Sequence, residues 1–191
     1  MAKSPSVLLN EAVALHQAGR LANAAERYRA ILARAPQHAE ALHLLGLVKI
    51  ASGDLAGGVA SIRRAIAVRP GNPLFHANLG LAFLRARQPA DAVPSLRQAV
   101  ALDPATPALH DQLAGALALS GEIAPALEAL RQAQGRFPRD PQFPVRESAL
   151  LIHTGDLAGA RRAAEAALAV APRHVDALVN RGLVDVAAED L

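Results

Sequence analysis

Along residues 76–84, HANLGLAFL, a wheel of about 100° per residue puts His76, Leu79, Gly80 and Phe83 on one side of a helix. Asn78 falls on the other side with Leu74, Leu81 and Arg85. The first side reads as the one buried against a neighbouring helix, and the second is mixed rather than simply solvated. An asparagine inside a helix competes for nearby backbone hydrogen bonds and is a mediocre helix former. Its place here calls for an explanation from the rest of the chain.

That explanation begins with a period. Pro36, Pro70, Pro104, Pro138 and Pro172 follow one another at 34-residue intervals. Gly19, Gly53, Gly121 and Gly155 share a second column at the same spacing, with Arg87 as its exception. Ala22, Ala56, Ala90, Ala124 and Ala158 fill a third without a break, and Leu45, Leu79 and Leu113 a fourth. Glycine admits the left-handed conformation that closes one helix, and proline lacks the donor that would continue the next. Each period therefore predicts two helices, 6–18 and 21–34 in the first. The repeats run 5–38, 39–72, 73–106, 107–140 and 141–174, and a single helix over 175–189 follows. Arg181 and Asp185 stand there in columns filled earlier mostly by apolar groups such as Leu79 and Phe83, which suits a capping helix with a solvent-tolerant face; the competing reading is the first helix of a sixth unit.

Composition agrees with helices and narrows the chemistry. The 191 residues are 52% hydrophobic, mostly Ala, Leu and Val, and only 3% aromatic, which favours close-packed helices over a sheet. There is no cysteine, which excludes disulfides, thiolate zinc sites and cysteine nucleophiles. The start, MAKSPSVLLNEAVALHQAGR, lacks a signal-peptide apolar run, and no stretch of about 18 apolar residues occurs, so the expected location is cytoplasmic. Charge is uneven: 12 Lys/Arg against 5 Asp/Glu up to residue 102, then 8 against 12. With Tyr28 and four Phe as the only candidate stacking platforms besides histidine, nucleic acid is not the expected partner.

The combination of Gly46, Gly80 or Gly182, Ala24, Gly58, Ala92, Ala126 or Ala160, Tyr28, Ile62, Leu96 or Leu130, and the proline column resembles the tetratricopeptide repeat. The stretches LLGLVKIASGDLAGGVASIRRAIAVRP (44–70) and NLGLAFLRARQPADAVPSLRQAVALDP (78–104) carry it most fully, and it covers nearly the whole chain. Departures are His76 and His110 in an early aromatic column, Lys49 in a later one, and Pro144 near the start of a helix. The resemblance implies one all-α, right-handed α-solenoid over 1–191, built from five helix-turn-helix hairpins plus the terminal helix. It also implies that the outer face of each first helix lines a concave groove for an extended peptide or a partner's helix.

The column through Asn78 reads Asn10, Leu44, Asn78, Gln112, Arg146 and Asn180. Amides carry both donor and acceptor, so a ladder of them can hold a peptide backbone whatever its side chains. This is similar to the asparagine ladder of the O-GlcNAc transferase family, interrupted at Leu44 and charged at Arg146. The other reading is ordinary repeat consensus facing water. The expected groove is Asn10, Asn78, Gln112 and Asn180 for backbone contacts, Leu47, Leu74 and Leu81 for apolar area, and Arg85 and Arg146 for acidic side chains. The carboxylate clamp of chaperone-binding relatives is absent, because Leu9, Val13, Leu44, Leu74 and Asn78 occupy its places.

Other features carry less. Arg29, Arg63, Arg97 and Arg131, ending in Glu165, form a column read as a solvated convex face, with Glu26 and Glu128 placed to pair along the helix. His16, His38, His43, His76, His110, His153 and His174 contain no i, i+4 pair for a metal, and His76 and His110 are expected as packed neutral groups at hairpin seams. SGDLAGG (52–58) bridges two helices and lacks the strand that makes a phosphate loop. No catalytic constellation is found, so neither enzymatic activity nor a cofactor or metal is expected of this chain. The alternative is a substrate-recruiting arm of a larger bacterial glycosyl-, sulfo- or methyltransferase, since similar Ala- and Arg-rich repeats precede such domains. End-to-end self-association through the first and last helices is compatible with either.

Overall fold

The computed structural model describes residues 4–189, so the expected array over 1–191 has its first three and last two positions outside the described residues. Within them lie eleven α-helices and no strand: α1 (Pro5–Gln17), α2 (Leu21–Arg34), α3 (Ala39–Ala51), α4 (Leu55–Val68), α5 (Pro73–Arg85), α6 (Pro89–Leu102), α7 (Pro107–Leu119), α8 (Ile123–Arg136), α9 (Gln142–Thr154), α10 (Leu157–Val170) and α11 (Val175–Glu189). The all-α expectation holds, and the first hairpin falls within a residue of the expected 6–18 and 21–34.

The punctuation works as the period implies. Gly19, Gly53, Gly121 and Gly155 take φ of 72°, 91°, 83° and 83°, and Arg87 is forced to 58° in the same column. A side chain in this left-handed region costs about 1–2 kcal/mol, so Arg87 shows that the hairpin geometry, not the residue, sets the turn. Asp54 and Asp156 then cap α4 and α10 by accepting from Gly57 N and Gly159 N, both at 2.8 Å. Pro144 is the third residue of α9, where a missing N–H is no loss.

Small residues let the two helices of a hairpin approach. A Cβ on Gly46 would lie 2.7 Å from Ile62 Cγ1, and one on Gly80 2.6 Å from Leu96 Cγ. The departures from the repeat pattern become polar links. Lys49 Nζ donates to Gly57 O at 3.3 Å and to Ser61 Oγ at 3.2 Å. His76 Nε2 donates to the Pro70 carbonyl at 2.8 Å, and His110 Nε2 to the Pro104 carbonyl at 3.0 Å. These two histidines thus tie α5 and α7 each to the proline that precedes it, at the seam expected for them.

The described chain falls into two compact units, divided between Asp103 and Pro104. The amino-terminal unit is built around Tyr28, Ile31 and Val48 in one cluster and Leu42, Ala65 and Phe75 in another. The carboxy-terminal unit packs Leu130, Ala133 and Phe143 in one cluster and Leu151, Ala160 and Val184 in another.

The expected capping face of α11 is corrected. Arg181 is exposed and Asp185 pairs with Arg161 at 2.5 Å, but the open side of this helix is otherwise apolar. Val175 is 70% exposed and Val186 63%, with Leu178, Val179 and Leu183 between them. A Cβ on Gly182, in the column of Gly46 and Gly80, would meet nothing within 4 Å. The helix closes the described array by packing on α10 and α9, and its other face is apolar and exposed among the described residues rather than polar as expected.

Candidate functional site

The Asn78 column is tied into the stack. Asn78 Nδ2 donates to His43 Nε2 at 2.8 Å, Arg146 Nη2 to Asp111 Oδ2 at 2.9 Å, and Asn180 Nδ2 to the Val145 carbonyl at 3.1 Å. Each partner lies 35 residues back, one place before the column member of the preceding first helix. At these three positions the side chain bridges successive first helices, α3 to α5, α7 to α9 and α9 to α11. Asn180 is buried in doing so. One of its two amide hydrogens is held by Val145, and the residue is 8% exposed, unlike the open groove position expected of it. Arg146 is likewise not free to read acidic side chains, since Asp111 takes it through two contacts.

Burial shapes the chemistry of these bonds. His43 is buried and lies 4.6 Å from the Phe75 ring, centroid to centroid. Burial lowers its pKa to about 4, so the imidazole is neutral and accepts from Asn78 through Nε2. Burial pushes the Asp111 carboxyl up, against the opposing pull of Arg146 and with help from Asp140.

Beside Asn78 in the amino-terminal unit lies a cavity of about 570 Å³. It is lined by His16, Leu47, Ile50, Ala51, Asn78, Leu81, Ala82, Leu84 and Arg85. Its walls are aliphatic. The polar groups are Asn78, whose Oδ1 is still available as an acceptor, His16, and Arg85, which is exposed and has no ion-pair partner among the described residues. Four of the nine expected groove residues meet here: Leu47, Asn78, Leu81 and Arg85.

The other five are elsewhere. Asn10 and Leu74 are exposed in the same unit but outside this lining. Gln112, Arg146 and Asn180 belong to the carboxy-terminal unit. Gln112 Oε1 is sequestered with no hydrogen-bond partner among the described residues. Arg146 borders a smaller cavity of about 270 Å³ with Ala114, Leu130, Leu150 and His153.

Sequence reasoning missed His16 and Leu84 as lining residues, although the signal was present. His16, Ile50 and Leu84 share one 34-residue column, one turn beyond the Leu47 and Leu81 column. Following that turn to the end of each first helix would have found them.

The arginine column is also less uniform than expected. Arg63 lies 5.5 Å from the Phe83 ring centroid, a cation–π contact. Arg131 pairs with the buried Glu147 at 2.7 Å instead of Glu128, which accepts from Gln132. Arg29 and Arg97 are exposed. Among the described residues no group of three or more His, Asp or Glu is placed to hold a metal ion, and no helix is long and apolar enough to cross a membrane.

Repeated two-helix hairpins, closed by a left-handed residue and linked from first helix to first helix, define a helical-repeat protein. The chain belongs to the tetratricopeptide repeat family, whose profile matches residues 9–73, 43–107, 77–141 and 150–191. Solved structures share the fold. The crystal structure of MamA aligns with a TM-score of 0.79 at 18% identity, over 89% of this chain and 93% of that one. YrrB, described as a TPR protein with an unusual peptide-binding site, aligns with a TM-score of 0.76 at 20% identity, over 92% and 90%. TTC0263, a thermophilic TPR protein of Thermus thermophilus, aligns with a TM-score of 0.61 at 23% identity, over 96% and 100%. No curated protein sequence matches the chain.

Proposed function

We propose that the chain is a protein-interaction module that binds an extended peptide segment along the first-helix face of its amino-terminal unit. The observation that carries this reading is the cavity beside Asn78. It offers aliphatic area from Leu47, Ile50, Leu81 and Leu84 with a few polar groups at its edge, the composition of a recognition pocket rather than of a solvated surface. Asn78 supplies an acceptor for a peptide N–H while its donor stays on His43. The peptide-binding site of YrrB, on the same fold, supports the choice of ligand class. The recruiting-arm alternative uses the same groove and differs only in what is attached to it, so one binding measurement serves both.

The test is retention of peptides from a randomised ten-residue library with a fixed central Leu. Wild type retains a subset, the Leu47→Lys plus Leu81→Lys variant loses it, and Arg97→Glu, on an exposed second-helix position, keeps it. Equal retention by wild type and the double variant overturns the reading.

A further inference from the structure

We infer that the peptide taken by this cavity is acidic: an aliphatic side chain fills the apolar part while a neighbouring Asp or Glu carboxylate pairs with Arg85. This rests on the groove reading above and adds the ligand's charge. No Asp or Glu lines the cavity, and its charged or titratable groups are His16 and Arg85 alone. Arg85 is the last residue of α5. It is exposed and carries no ion pair among the described residues, whereas Arg146 beside the smaller cavity is already held by Asp111. The surrounding charge has the same sign: residues up to Asp103 contain 12 Lys/Arg against 6 Asp/Glu, and those after it 8 against 11. An unpaired guanidinium at the rim of an aliphatic pocket is a bidentate receptor for carboxylate, and a net positive unit raises the encounter rate of an acidic chain. The cation enters from the end of a first helix, not from the clamp positions, which hold Leu9, Val13, Leu44, Leu74 and Asn78.

The same library, screened against wild type, Arg85→Gln and Arg85→Lys, tests this. Wild type enriches Asp or Glu within a few positions of the fixed Leu, Arg85→Lys keeps part of the enrichment, and Arg85→Gln loses it while still retaining Leu peptides. For an individual selected peptide, Glu→Gln weakens binding about tenfold to wild type and little to Arg85→Gln. Retained peptides without acidic enrichment, or enrichment unchanged in Arg85→Gln, overturn the acidic ligand and leave the groove reading standing. No retention by wild type overturns both.

Discussion

The two units use one column position for opposite electrostatics. In the amino-terminal unit Asn78 meets His43, a neutral imidazole kept uncharged by burial. In the carboxy-terminal unit Arg146 meets Asp111, a charged partner whose carboxyl is itself pushed up by burial. In both units the bond runs from a first helix to the one before it, α5 to α3, α9 to α7 and α11 to α9, and its chemistry differs from place to place. That difference has a functional side. Asp111 compensates Arg146 at the smaller cavity, whereas Arg85 at the larger one has no ion pair among the described residues.

Acid should break the comparison most strongly. With a folded pKa of about 4 against an ordinary 6.5 for His43, the unfolded chain binds more protons between these values. Stability therefore falls as pH drops from 6.5 towards 4, by about 3 kcal/mol from this group. Asp111 runs the other way. Its raised folded pKa contributes stability below the ordinary carboxyl value, which is lost as pH rises through the folded pKa. Urea midpoints from pH 7 to 4 should fall steeply for wild type and less steeply for His43→Gln. Identical slopes for the two proteins would remove the buried neutral histidine from the account.

The glycine column gives the next largest contrast. Gly80→Ala places a Cβ against Leu96 and should destabilise by about 1–3 kcal/mol. Gly182→Ala meets open space in the middle of α11 and should stabilise by about 0.5–1 kcal/mol. Thermal unfolding of both variants checks the pair, and a loss of stability at Gly182 would mean that its face is covered after all.

These two glycines also mark how far the sequence could be read. The period placed the helices, their turns and the seam histidines, because each depends on one residue type recurring at a fixed spacing. It even flagged Arg87 as out of pattern, though not that the backbone would keep its left-handed turn regardless. What it could not supply is partner choice across repeats. On a helical wheel Asn78 points away from its own hairpin, and the wheel says nothing about the preceding hairpin, which is where His43 lies. The same blindness made Asn180 and Arg146 look free and the outer face of α11 look polar. Arg181 and Asp185 were conspicuous, whereas Val175, Val179, Leu183 and Val186 are ordinary until one sees that nothing among the described residues covers them.

Smaller effects refine the same picture. Arg87→Gly relieves the left-handed strain at φ 58° and should raise stability by about 1 kcal/mol, measured by denaturant titration; no gain would place the turn's cost elsewhere. Asp111→Asn should cost less than about 1 kcal/mol, because the Arg146 side chain is 46% exposed and such pairs are screened. Added salt should narrow the gap between wild type and this variant, and a gap that does not respond to salt would point to a packing role.

The bond between Asn78 and His43 ties α5 to α3 within the amino-terminal unit and fixes the position of the amide. A double-mutant cycle on His43→Ala and Asn78→Ala, read by urea unfolding at pH 7, tests it most directly. The bond between Asn78 Nδ2 and His43 Nε2 predicts a coupling of about 1 kcal/mol. Strictly additive losses would contradict it and return Asn78 to the groove as a free rung.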